Sequence, residues 1–113
     1  MTKEEIIETV YLAFNDRDID AVLTFFQPTV EWPNGWEGGY VYGHENVRDY
    51  WERQWKELNP GVTPIHITTL PNGHVEVEVK QVVKKLSGEL LFDGIVYHTY
   101  QFENGLIKRM EIT

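Results

Sequence analysis

Hydrophobic positions along the chain change their period near its middle. In the front half Ile6, Ile7, Val10, Tyr11 and Phe14 recur at helical spacing on one face. Thr2 followed by Glu5 has the form of a capping box, which satisfies two of the free amides at a helix start. Asn15 and Asp16 end this helix. Asp18 caps a second, short helix carrying Ile19, Val22, Leu23 and Phe26, which stops ahead of Pro28. Thr29 to Trp32 reads as a short extended piece. After a loop, Gly43 to about Leu58 is again helical, with Val47, Tyr50, Trp51 and Trp55 as an aromatic stripe and Asn59-Pro60-Gly61 as its stop.

In the back half the period is two. Val75, Val77, Val79, Gln81 and Val83 alternate with His74, Glu76, Glu78, Lys80 and Val82, the pattern of a strand with one face buried. Val62 to Leu70 is the strand before it, with Pro71-Asn72-Gly73 as the turn. Leu86-Ser87-Gly88-Glu89 turns into a long strand from Leu90 to Phe102, and Glu103-Asn104-Gly105 is a hairpin turn into Leu106 to Ile112. Helices followed by hairpin strands predict an α+β fold, a curved antiparallel sheet with helices on one face. A sheet curved strongly around a long helix would enclose a pocket.

A length of 113 residues fits one domain, 1–113, and 42% hydrophobic with 13% aromatic content is enough for a core. The chain has no cysteine, which excludes disulfides, thiolate chemistry and Cys-based zinc sites. Its formal charge is −8, from 10 Lys and Arg against 18 Asp and Glu. That balance argues against nucleic acid and against an anionic membrane as partners. The start, MTKEEIIETV, lacks the apolar run of a signal peptide, and no segment approaches a membrane span. A soluble, cytoplasmic domain is expected.

Strand parity picks out the candidate chemistry. If the valines of the Val75 strand face inward, Gln81 faces inward with them and needs a partner there. In the next strand Val96, His98, Tyr100 and Phe102 form the inward set, and Thr99, Gln101 and Glu103 the outward one. Asp93-Gly94 interrupts that strand. A bulge there would flip parity and bring Leu91 and Asp93 to the inner face. Gln81, Asp93 and His98 would then share an apolar concave surface, and Asp93 with His98 would make an acid–base pair in which the carboxylate orients the imidazole. The alternative is that His98 is a core histidine bonded to a polar neighbour, and that Asp93 is a turn former. The four histidines, at 44, 66, 74 and 98, have no metal-ligand spacing, so neither a metal nor a cofactor is expected.

Residues 30 to 39, VEWPNGWEGG, place two tryptophans in a loop. Pro33-Asn34-Gly35 turns the chain, Trp36 can fold over an opening, Gly38-Gly39 gives hinge freedom, and Glu37 is the carboxylate placed to look into the mouth. Trp32 either plugs the pocket or lines it.

Several stretches together resemble the nuclear-transport-factor-2-like superfamily, which includes ketosteroid isomerases and SnoaL-like polyketide cyclases. They are Tyr11-x-x-Phe14-Asn15-x-x-Asp18-x-Asp20-Ala21, Phe26 with Thr29-Val30-Glu31-Trp32-Pro33, Gly43-x-Glu45-x-Val47-Arg48-x-Tyr50-Trp51, and Tyr100-x-Phe102-Glu103-Asn104-Gly105-Leu106-Ile107. The resemblance covers nearly the whole chain and implies a cone of bent sheet around helices, an apolar pocket, and homodimers through the sheet. It does not carry steroid isomerisation with it. Trp32 stands where the isomerases have their aspartate base, the helix-1 tyrosine falls on Val10 with Tyr11 one residue away and pointing elsewhere, and the second aspartate falls near His98. The expectation is a pocket for a small apolar or aromatic molecule. Trp32, Asn34, Trp36, Glu37, Tyr11, Gln81, Tyr100 and Trp55 would contact it, and His98 with Asp93 would supply any catalysis. The competing readings are a non-catalytic binding module and a dimerising domain.

Overall fold

The computed structural model describes all of residues 1–113. Helix α1 (Lys3–Asn15) starts at the capping box: the Glu5 amide donates to the Thr2 hydroxyl at 3.1 Å, and the Thr2 amide donates to the Glu5 carboxylate at 2.8 Å. Such a cap stabilises a helix by about 1 kcal/mol. Ile6, Ile7, Val10 and Tyr11 form its buried face. Helix α2 (Ile19–Leu23) is capped by Asp18, whose carboxylate accepts from the Ala21 amide.

Six strands form one sheet in the order β2-β1-β6-β5-β4-β3. They are β1 (Phe26–Pro33), β2 (Tyr40–Tyr42), β3 (Leu58–Thr69), β4 (Val75–Lys85), β5 (Leu90–Glu103) and β6 (Leu106–Ile112), with helix α3 (Gly43–Gln54) between β2 and β3. The β1–β6 pair is parallel and the others are antiparallel. The sheet curves over the helices without closing, and the core fills its concave side. Trp51, Phe26, Ile7, Ile107, Val47 and the β4 valines Val75, Val77 and Val79 are all fully buried there. No helix is long and apolar enough to cross a membrane.

Three local expectations are corrected. Phe26 belongs to β1 and not to the second helix, and β2 was not foreseen. Asn59-Pro60-Gly61 is not a stop but the start of β3, with Pro60 opposite Val83. Since β3 is an edge strand, an imino acid there can leave its free side unpaired without breaking a ladder. The α1–α2 turn covers part of that edge. Asn15 exchanges two hydrogen bonds with the backbone of Val62, and Arg17 donates to the Pro60 carbonyl. Finally, there is no bulge at Asp93-Gly94. Gln81 pairs with Gly94 and Val82 with Asp93 in unbroken register, and the slip comes earlier, where Leu91 is the extra residue between Leu90 and Phe92.

Candidate functional site

Between α1, α3, the 33–36 loop and the concave face of the sheet lies a cavity of about 620 Å³. Its wall is mostly aromatic and aliphatic: Trp32, Trp36, Trp51, Tyr40, Phe92, Val96 and Met110 contribute. Asn34, Gln54, Gln81 and His98 are its amide and imidazole groups, and no Asp, Glu, Lys or Arg lines it.

His98 sits on β5 opposite Val77, so strand alternation aims it inward beside Val96 and Tyr100. Its Nδ1 lies 2.7 Å from the hydroxyl of Tyr11, and that hydroxyl lies 2.9 Å from the hydroxyl of Tyr100. Donor counting fixes the direction of this chain. Tyr100 is 0% exposed, and its hydroxyl has Tyr11 as its one partner, so its proton goes to the Tyr11 oxygen. Tyr11 then has one proton left, which it donates to Nδ1 of His98. The imidazole is therefore the tautomer with its hydrogen on Nε2, and Nε2 makes no hydrogen bond within the protein. Burial lowers the His98 pKa from the ordinary 6.5 to about 4, because a desolvated imidazolium has no carboxylate to compensate it. Burial also raises both tyrosine pKa values, so both hydroxyls keep their protons. At neutral pH His98 offers the cavity a hydrogen-bond donor, while its one basic nitrogen is occupied by Tyr11.

The expected Asp93–His98 pair does not form. With the register unbroken, Asp93 lies on the opposite face of β5 from His98, where its carboxylate meets Lys80 at 2.5 Å. Gln81 does line the cavity, but it stands opposite Gly94, four residues along β5 from His98. The two groups lie at different depths.

Tyr11 lines the cavity, in keeping with its place among the expected contacts, and rather than pointing elsewhere it is buried and reaches His98, because it shares the α1 face of Ile7. Tyr100 supports Tyr11 from behind rather than forming part of the cavity wall. Trp32 is 8% exposed, stacks on Phe26 with ring centres 4.9 Å apart, and meets Trp51 edge-on at 5.6 Å. It is a packed part of the wall, held by the core behind it. Trp36 and Asn34 also line the cavity. The Asn34 side-chain oxygen accepts from the amides of Trp36 and Glu37, so this amide holds the loop in shape.

Glu37 is turned away from the mouth. It makes a two-oxygen ion pair with Arg53 of α3 at 2.9 and 3.0 Å, and this bond, with that from Asn34, lowers its pKa. Trp55 lies outside the cavity, because α3 ends at Gln54 and directs it under the end of α1. There it stacks on Trp51 and lies beneath the Arg17 guanidinium at 4.9 Å. Tyr40, Tyr50, Gln54 and Phe92 also line the wall, beyond the contacts that the sequence points to. Tyr50 had a sequence signal, as a member of the α3 stripe. Phe92 is one of two consecutive residues, with Leu91, that the β5 slip brings to the cavity.

The sequence matches the SnoaL-like domain family over residues 7–110, and the chain belongs to that family. No curated protein matches it. Solved structures place it among nuclear-transport-factor-2-like folds. A protein of this type and of unknown function from Burkholderia pseudomallei K96243 is 21% identical, with a TM-score of 0.86 over 100% of this chain and 91% of that one. TerC, co-crystallised with polyporic acid, is 26% identical, with a TM-score of 0.84 over 97% and 88%. A Pseudomonas putida KT2440 protein provisionally called a polyketide cyclase is 18% identical, with a TM-score of 0.86 over 100% and 91%.

Proposed function

We propose that this chain is a binding protein for a small, flat, largely apolar molecule carrying an acceptor oxygen, a ketone or quinone carbonyl or its enolate. The oxygen would accept from Nε2–H of His98, and the rings would lie against Trp32, Trp51 and Val96. One observation carries the reading: the Tyr100–Tyr11–His98 chain leaves His98 as a neutral donor within an uncharged wall. A buried donor in a mostly apolar wall favours an acceptor ligand. The relative that was crystallised with polyporic acid, an aryl hydroxyquinone, lends a ligand of this class for the first trial.

The same feature weighs against proton abstraction. His98 is the one imidazole in the wall and its lone pair is engaged by Tyr11, while no carboxylate lines the cavity to act in its place. A second reading rests on the donor itself. Nε2–H would stabilise an oxyanion forming on a bound carbonyl, so a substrate whose internal nucleophile is already an enolate would add to that carbonyl without a protein base, the alkoxide formed taking its proton from solvent.

Titration with polyporic acid, followed by tryptophan fluorescence, tests binding. His98→Ala should weaken the complex by about tenfold, the value of one hydrogen bond. His98→Gln can accept from Tyr11 and donate to the ligand, so it should restore most of that loss. If a panel of planar ketones and quinones leaves the fluorescence unchanged, the reading fails.

A further inference from the structure

On the face of β5 turned to the cavity, Phe92, Val96 and His98 line the wall, and Gly94, between Phe92 and Val96, contributes no side chain and leaves a gap. Its backbone does not require glycine, since its φ is not positive. What glycine gives here is room. A Cβ at this position would lie 3.1 Å from Cζ of Phe92 and 3.6 Å from both Cε atoms, so the tip of the Phe92 ring occupies the gap. That ring is 42% exposed, so moving it toward solvent uncovers little buried apolar area. Across the ladder Gln81 pairs with Gly94 and lines the cavity beside it. The gap lies four residues along the strand from His98, roughly 13 Å at about 3.3 Å per residue.

We propose that the Gly94 gap is a subsite for the far ring of an elongated planar ligand, with Phe92 as its replaceable occupant. This rests on the reading that an acceptor oxygen of the ligand is held at His98. A one-ring ligand anchored there does not reach Gly94. A longer one does, displaces the Phe92 ring toward solvent, and lies on the bare glycine backbone beside the Gln81 amide. Gly94 and Phe92 thereby set the length of molecule that the cavity accepts.

Two ketones with the same polar head test this, acetophenone and 4-acetylbiphenyl, titrated by NMR into the wild type, Gly94→Ala, Gly94→Val and Phe92→Ala. In the wild type the second ring should tighten binding by about tenfold or more through buried apolar area. Gly94→Val should remove most of that gain and leave acetophenone unaffected, with Gly94→Ala between them. Valine suits a strand better than glycine does, and an unchanged urea midpoint in each variant shows that the fold is kept. Phe92→Ala should keep or enlarge the gain. The proposal is overturned if Gly94→Val binds the longer ketone as the wild type does, if it weakens both ketones alike, or if Phe92→Ala abolishes the gain. Failure of the wild type to bind either ketone would instead sink the pocket reading beneath it.

Discussion

Lowering the pH from 7 to 5 should destabilise this protein through His98 by an amount that can be worked out. The folded-state pKa is depressed from 6.5 to about 4 by burial, so between those values the unfolded chain binds a proton that the native state refuses. Stability from this group is complete above 6.5 and falls as the pH drops toward 4, by about 1.4 kcal/mol per unit and about 3 kcal/mol in all. At pH 5 the loss is about 2 kcal/mol. Urea denaturation followed by tryptophan fluorescence at pH 7 and pH 5 measures it. His98→Gln is the control, since glutamine can still accept from Tyr11 and does not titrate. The wild type should lose about 2 kcal/mol more than this variant over the interval. Parallel losses in the two proteins would show that His98 titrates normally, and the neutral donor would go with it.

Removing the middle of the hydroxyl chain should cost more than removing its end. Tyr11→Phe leaves both the Tyr100 hydroxyl and Nδ1 of His98 unpaired, for about 2–4 kcal/mol, whereas Tyr100→Phe leaves Tyr11 still bonded to His98 and costs about 1 kcal/mol, both read from urea midpoints. Trp32→Ala should destabilise by about 3–5 kcal/mol in thermal or urea unfolding, because the stacked Phe26 and the edge-on Trp51 lose their shared neighbour. Asp93→Asn should leave affinity for polyporic acid unchanged, since the carboxylate stands across the sheet with Lys80, and a large loss in that titration would return Asp93 to the site.

Period-two alternation locates β4, because it buries one face and its sequence must say which, and the turns at Leu86–Glu89 and Glu103–Gly105 locate β5 and β6. Helix α1 was equally legible from its cap and stripe. What escaped depends on neighbours remote in sequence. Strand β2 is three residues long and exists because Tyr40, Val41 and Tyr42 find Pro33, Trp32 and Glu31 across the loop. Asn59-Pro60-Gly61 has the composition of a turn, and only its place on a sheet edge allows it to be strand. Asp93-Gly94 looked like a bulge because a glycine in a strand has two uses. Here it makes room for a ring, while the true slip at Leu91 carries no glycine. Strand parity points His98 inward but does not give its partner, for Tyr11 is 87 positions away and no spacing rule connects them. Glu37 was misplaced for a similar reason, its partner Arg53 being on a separate helix.

The most direct measurement is nitrogen-15 NMR of the His98 ring in the free protein. Between pH 7 and pH 5 the spectrum should show one neutral tautomer, with the proton on Nε2, Nδ1 bare, and no titration across the interval. A proton on Nδ1, or an imidazolium already forming at pH 6, would contradict the donor that the Tyr100–Tyr11 chain presents to the cavity.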